Sequence, residues 1–272
     1  MLIKKYLNSI REIILRVRFF SKFVGYFWWL TPNFLRLRLP INSIGYGFIG
    51  PLKIFRWNLD PRDAISQKYF GYKFSKYEST TQRALFKEIL NIGKSKRVHF
   101  LNIGANTGLY ALLVMKKFPK TNVSLFEPVP LNLQFLRNNM ALNNLTPDIY
   151  DIAAGESNEI MQIYTNKEYF GLASFTPNSN SPTDVKVDRV DQVINSQVDV
   201  VLIDVEGHEL AVLRGMEKTL RNYGPTIILE LNSETIVEVS RFLETFGYGK
   251  PVWLGIKEMF GPQEKNFLFK IT

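Results

Sequence analysis

Beyond Gly93 the chain alternates short apolar runs with longer segments whose apolar residues recur every three or four positions. Residues 98–103, 122–126, 148–153, 198–203 and 226–231 read as strands. Residues 108–117, 130–143, 209–221 and 234–246 read as helices. Strands that are apolar at nearly every position are buried on both faces, so the pattern predicts an α/β fold: a mostly parallel sheet with helices on both sides. The tail differs, because 252–256 and 266–271 read as two strands with no helix between them. Residues 155–184, polar and carrying Pro177 and Pro182, interrupt the alternation and are too long for a turn. An insertion or lid near the site is expected there.

Upstream, residues 79–92 form a helix pattern with Ala84, Leu85, Ile89 and Leu90 on its apolar face and Gly93 as a cap. Residues 41–75, rich in Gly, Pro and aromatics, suggest short strands and turns packed on the core. Residues 1–40 form a third segment, basic and aromatic. Ile3, Leu7, Ile10, Ile14 and Val17 make an amphipathic stripe, and Lys4, Lys5, Arg11, Arg16 and Arg18 fall off it. The uncharged stretch 23–35 is shorter than the roughly 20 apolar residues of a spanning helix. Two readings of residues 1–30 stand: peripheral contact with lipid headgroups, or a helix packed on the body with its arginines solvated. Three segments result, with 76–272 as the main domain and a cytoplasmic location, soluble or peripheral at the membrane, as the expectation.

Charge sharpens this division. Residues 1–100 hold 19 Lys+Arg against 5 Asp+Glu, and residues 101–272 hold 15 against 20. A basic N-terminal third that meets something anionic precedes a mildly acidic body. No zinc-finger, RNP or helix-turn-helix pattern accompanies the positive charge, so a nucleic-acid partner is not expected. There is no cysteine, and His99 and His208 are the only histidines, which argues against thiolate or multi-histidine metal sites.

Three motifs carry chemistry. Ile103-Gly104-Ala105-Asn106-Thr107-Gly108 lies where a strand runs into a helix, so glycines let the backbone turn sharply and approach a ligand. Glu127, followed by Pro128, ends the next strand 23 residues after Gly104, near the spacing at which a carboxylate accepts ribose hydroxyls. The turn lacks the full G-x-G-x-x-G pattern of a pyrophosphate cradle, which tilts the reading from NAD toward S-adenosyl-L-methionine. Asp204, Glu206, His208 and Glu209 crowd the end of a third apolar strand, where a parallel sheet presents its ligand crevice. Glu206 and Glu209 also suit the positive end of the following helix.

Together these segments resemble the FkbM methyltransferases over roughly residues 76–272. The resemblance rests on residues 103–110, on Phe126-Glu127-Pro128-Val129-Pro130-Leu131-Asn132, on residues 202–209, and on Ile227-Ile228-Leu229-Glu230. It implies a Rossmann-like class I methyltransferase with a seven-stranded sheet whose last strand is antiparallel. It also implies O-methylation of a hydroxyl on a sugar, glycan or related small molecule. The cofactor contacts it suggests are Asn102, Gly104, Ala105, Asn106, Thr107, Gly108, Glu127, Pro128, Ile152 and Ala153. Asn102 stands where relatives usually carry Asp, Leu202 where they carry Lys, and His208 where a small residue is commoner. Methyl transfer needs alignment and removal of the acceptor's proton. Glu206 and Asp204 are the first candidates for that work and His208 the next. Asp204, Glu206 and Glu230 are magnesium- or calcium-type ligands, but no fixed-spacing metal loop is present and no metal is expected. An NAD-type oxidoreductase and a non-catalytic binding module remain as alternatives.

Overall fold

The computed structural model describes residues 43–49, 53–59, 78–165, 173–175, 181–232, 235–255 and 266–272. The expected N-terminal amphipathic helix, the aromatic run after it and the loop 256–265 lie outside these residues.

The main sheet is built from β3 (His99–Ile103), β4 (Asn122–Phe126), β5 (Asp148–Tyr150), β10 (Val200–Ile203), β11 (Thr226–Glu230), β12 (Val252–Trp253) and β13 (Asn266–Phe269). Its order is β12-β13-β11-β10-β3-β4-β5, and β13 alone runs antiparallel to its neighbours. This is the seven-stranded, mostly parallel sheet with a reversed last strand that the resemblance implies, with β13 inserted beside β11. Alternate strand residues divide into two cores. Phe100, Leu125, Leu202 and Ile228 face α1 (Ser79–Ile92) and α2 (Leu109–Lys117). Leu101, Ile103, Val201, Ile203 and Leu229 face the other side, under Val212, Leu213 and Leu243.

The helix expected over 209–221 is two: α5 (Glu209–Arg214) and α6 (Glu217–Tyr223), with a short α4 (Val190–Val193) before them. At the break the chain passes close to Gly155, and only glycine fits at 215, where a Cβ would lie 2.0 Å from the Gly155 carbonyl oxygen. The second helix begins on a cap from elsewhere in the chain. The Asp191 carboxylate accepts the N–H of Lys218 (2.7 Å) and Thr219 (2.9 Å) and the Thr219 hydroxyl (2.7 Å). Gly93 does close α1, but in right-handed conformation at φ −64°, not the left-handed one that favours glycine.

The described residues of the 155–184 stretch are mostly strand. β7 (Glu159–Thr165) pairs antiparallel with β9 (Ser181–Asp188) over seven positions, and β6 (Ala153–Ala154) and β8 (Ala173–Ser174) complete a second sheet. The strand expected over 148–153 therefore splits, its end joining this second sheet. Val129, Ala153, Ile163, Val185 and Val187 form a small core beneath it.

The upstream region enters the main core. β1 (Ser43–Ile49) and β2 (Lys53–Leu59) form an antiparallel hairpin, and Phe55 and Trp57 are fully buried, edge to face at 6.4 Å. Helix α3 (Pro130–Leu142) clasps it. Asn139 accepts the Asn58 N–H at 2.7 Å and donates to the Thr107 carbonyl at 2.8 Å, joining the hairpin to the glycine turn. Asn143 accepts the Arg56 N–H (2.9 Å) and donates to the Arg56 carbonyl (2.7 Å), as a neighbouring strand would. Asn139→Ala strands two buried backbone groups, and an unmatched group costs about 1–3 kcal/mol. Denaturant unfolding is expected to show a loss of about 2–4 kcal/mol; a loss near zero would mean the clasp does not hold the hairpin.

Candidate active site

The C-terminal tips of β3, β4 and β10 converge on a cavity of about 70 Å³ that opens to solvent. Its walls come from Ile103, Gly104 and Asn106 of the first turn and from Phe126 to Val129 of the second. Ile152 and Ala153 add to them from the end of the β5 region, and Asp204, Val205 and Glu206 from the β10 end. The second sheet closes the cavity with Ile163, Ala173 and Phe175, so the inserted segment does border the site.

Gly104 makes the corner. Its φ is +78°, and a Cβ there would lie 1.8 Å from the Asp204 carbonyl oxygen. Only a residue without a side chain lets β3 end against the β10 backbone. The Gly104 and Ala105 amides donate to the Phe126 carbonyl at 3.0 and 2.9 Å. Asn106 follows in left-handed conformation (φ 50°) and donates its N–H to Glu127 Oε2 at 2.7 Å. Glu127 Oε1 accepts the Val129 N–H at 3.0 Å and Asn132 Nδ2 at 3.1 Å. The first two turns are thus tied by one carboxylate. Burial pushes the Glu127 carboxyl up to about 6 against the pull of these three donors.

The third turn is acidic. Burial and then the neighbouring Glu230, Glu78, Glu206 and Glu209 hold the Asp204 carboxyl well above the ordinary range. Glu206, at the surface in left-handed conformation (φ 52°), is raised by partial desolvation and by Glu209. Glu209 turns back to accept the Gly207 N–H at 2.9 Å, holding the turn. Among the described residues no group of three or more His, Asp or Glu is arranged to hold a metal ion.

Several expected residues stand away from the cavity. Ala105 and Thr107 are buried behind the turn. Gly108 faces α3, where a Cβ would lie 2.7 Å from Leu136 Cδ1. Asn102 is buried two residues before the corner, its Oδ1 without a hydrogen-bond partner among the described residues. His208 does not line the cavity; its ring packs on Phe175 at 4.6 Å, tilted by 45°, and desolvation lowers its pKa. Pro128, Ile152 and Ala153 do line it.

Other residues join the site that sequence reasoning did not single out. Glu78, just before α1, comes near Asp204, receives the Tyr110 hydroxyl and accepts Asn266 Nδ2 at 3.4 Å. Only the folded topology brings Glu78 and Asn266 together, since they lie 188 positions apart. Asn132 and Tyr110 belonged to recognisable segments and could have been marked from them.

The Methyltransferase FkbM domain matches residues 102–250. The chain belongs to the FkbM methyltransferase family. Among curated relatives, this FkbM chain is 23% identical over 155 residues to "Methyltransferase sdnD" of Sordaria araneosa, covering 43% of this chain and 60% of that protein. It is 24% identical over 185 residues to "Methyltransferase 1" of Beauveria bassiana, covering 56% and 74%. A solved FkbM methyltransferase from Methylobacillus flagellatus is similar with a TM-score of 0.48 and 17% identity, over 64% of this chain and 43% of that one.

Gly104→Ala combines a strained φ with a backbone clash, and is expected to cost on the order of 3 kcal/mol or more. A thermal melt close to that of the unaltered FkbM chain would show that the corner can relax and that the constraint is not strict.

Proposed function

We propose that this FkbM chain uses S-adenosyl-L-methionine to methylate a hydroxyl on a sugar, glycan or related small molecule. The observation that carries the reading is the sign of the charge around the crevice. Asp204 and Glu206 border the cavity, with Glu78 and Glu230 close behind. S-adenosylmethionine brings a sulfonium and an ammonium against one carboxylate, so it is attracted there. The two phosphates of NAD would be repelled.

The fit is residue by residue. Glu127 retains roughly one of its four lone-pair directions for a ribose hydroxyl, with three taken by protein donors. Phe126, Ile152 and Ala153 offer apolar wall for a purine. When bound, the cofactor supplies an electrophilic methyl group on sulfur. In this reading Asp204 orients the acceptor hydroxyl and Glu206, at the cavity mouth, takes its proton. Burial first, and then neighbouring acids, raise both carboxyls and make each a better proton acceptor. His208 stays neutral at physiological pH behind Phe175 and is the reserve candidate.

Titration calorimetry with S-adenosylmethionine, its demethylated product and NAD tests the charge argument. The sulfonium compound is expected to bind more tightly than its product, and NAD not at all; NAD binding without S-adenosylmethionine binding ends the proposal. The ionised Glu127 is populated above about pH 6 and lost below it. Cofactor affinity should therefore fall roughly tenfold between pH 7 and pH 5. Glu127→Gln should weaken binding roughly tenfold or more and abolish that pH dependence. With a panel of sugar and glycan acceptors, Glu206→Gln should lower kcat about a hundredfold, with a much smaller loss of cofactor affinity. An unchanged kcat would move the base to another residue.

A further inference from the structure

At the opposite end of the strands lies a second feature that methyl transfer does not use. The loops entering β3 and β4 form an open groove lined by Lys94, Lys96, Arg97, Lys117 and Lys120, all exposed, and no lining side chain is acidic. The sequence agrees: residues 89–126 hold no Asp or Glu. The cations are held in place. Arg97 Nε donates to the Lys120 carbonyl at 2.8 Å, fastening one loop to the other, and Lys96 pairs with the buried Asp199. Lys117 Nζ stands 4.9 Å from the Phe86 ring centre and 5.9 Å from that of Phe118. On the rim Leu90 is 55% exposed, an apolar side chain set among positive charges.

We infer that this groove is a docking surface for an anionic lipid bilayer. Lysines at a surface are attracted by anionic headgroups, and an adjacent apolar side chain adds burial past the phosphate level. Nucleic acid is the less suitable occupant. The one aromatic ring of the lining, Phe118, packs against Phe86 at 5.8 Å, which leaves the groove no stacking platform for bases. The basic, aromatic sequence of residues 1–30 has the same chemistry. Docking by this face points the catalytic crevice away from the bilayer, about one strand length or roughly 16 Å further out. The acceptor then reaches the site from the aqueous side.

The test is co-sedimentation of the full chain with phosphatidylcholine vesicles, with and without phosphatidylglycerol. The chain should partition only to the anionic vesicles and be released by salt. K94E/K120E, away from the ring contacts, should weaken that partition at least tenfold with an unchanged melting temperature; K94Q/K120Q provides a milder pair should the reversal disturb folding. Unchanged partition of the variants, equal binding to neutral vesicles, or charge-dependent binding of RNA or DNA in place of vesicles would overturn the inference. Cofactor affinity, measured alongside, should not move.

Discussion

The close passage of two backbones at Gly104 is the constraint on which the crevice rests. β3 ends where its corner residue lies against the Asp204 carbonyl, at a separation no Cβ would tolerate. That contact fixes the β10 tip relative to the β3 tip. The Gly104 and Ala105 amides then fix both to β4 through the Phe126 carbonyl. Once the three tips are locked, Asn106 meets Glu127 and the carboxylate bridges two turns. Asn139 carries the same rigidity outward, because the carbonyl it holds belongs to Thr107 in that turn. A hairpin far upstream in sequence thereby helps shape the crevice.

The carboxylates at these tips are kept for different reasons. Glu127 is buried but surrounded by donors, so its charge is compensated by hydrogen bonds even as desolvation lifts its pKa. Asp204 sits among other acids, and its charge is opposed. For a carboxyl raised in the fold, stability is fullest below the unfolded value and falls as pH rises through the folded one. Ionising Glu127 through about pH 6 therefore costs the fold some stability. In the proposed reading a cationic ligand among these acids would offset that cost.

The central strands were legible because a parallel strand under two helical layers has no polar face to confuse the reading. β4 begins and ends where its apolar run does, and β3 and β11 differ from expectation by one residue. The second sheet was harder. β7 leaves Ile160 67% exposed and buries Ile163, so its inward face is short and weakly marked, although Val185 and Val187 alternate cleanly with exposed Asp184 and Lys186. The break at Gly215 was hidden for another reason: helical periodicity continues through it, and the close passage of Gly155 exists only in the fold. In the site, local motifs disclosed Gly104 and Glu127. Glu78 and Asn266 are joined by topology alone, and no spacing in the sequence announces them. Gly108 looked like a ligand-facing glycine, yet its missing side chain admits Leu136 and Met140.

The two departures from the family pattern gain a shared meaning from the register. Asn102 on β3 is the pairing partner of Leu202 on β10, and both side chains belong to the sheet face that carries α1. An acid and a base at such positions would be buried neighbours. Loss of either alone would strand a buried charge, which costs far more than losing the pair. With Asn and Leu in their places neither charge remains, and the residual defect is the Asn102 amide oxygen, which has no hydrogen-bond partner among the described residues. Neither residue lines the cavity. The pair therefore alters the floor beneath the Gly104 corner while leaving the Glu127 bridge and the acidic mouth intact. Departures of this kind weigh on stability before they weigh on chemistry, and they give little support to reading the chain as a fold that has shed its activity.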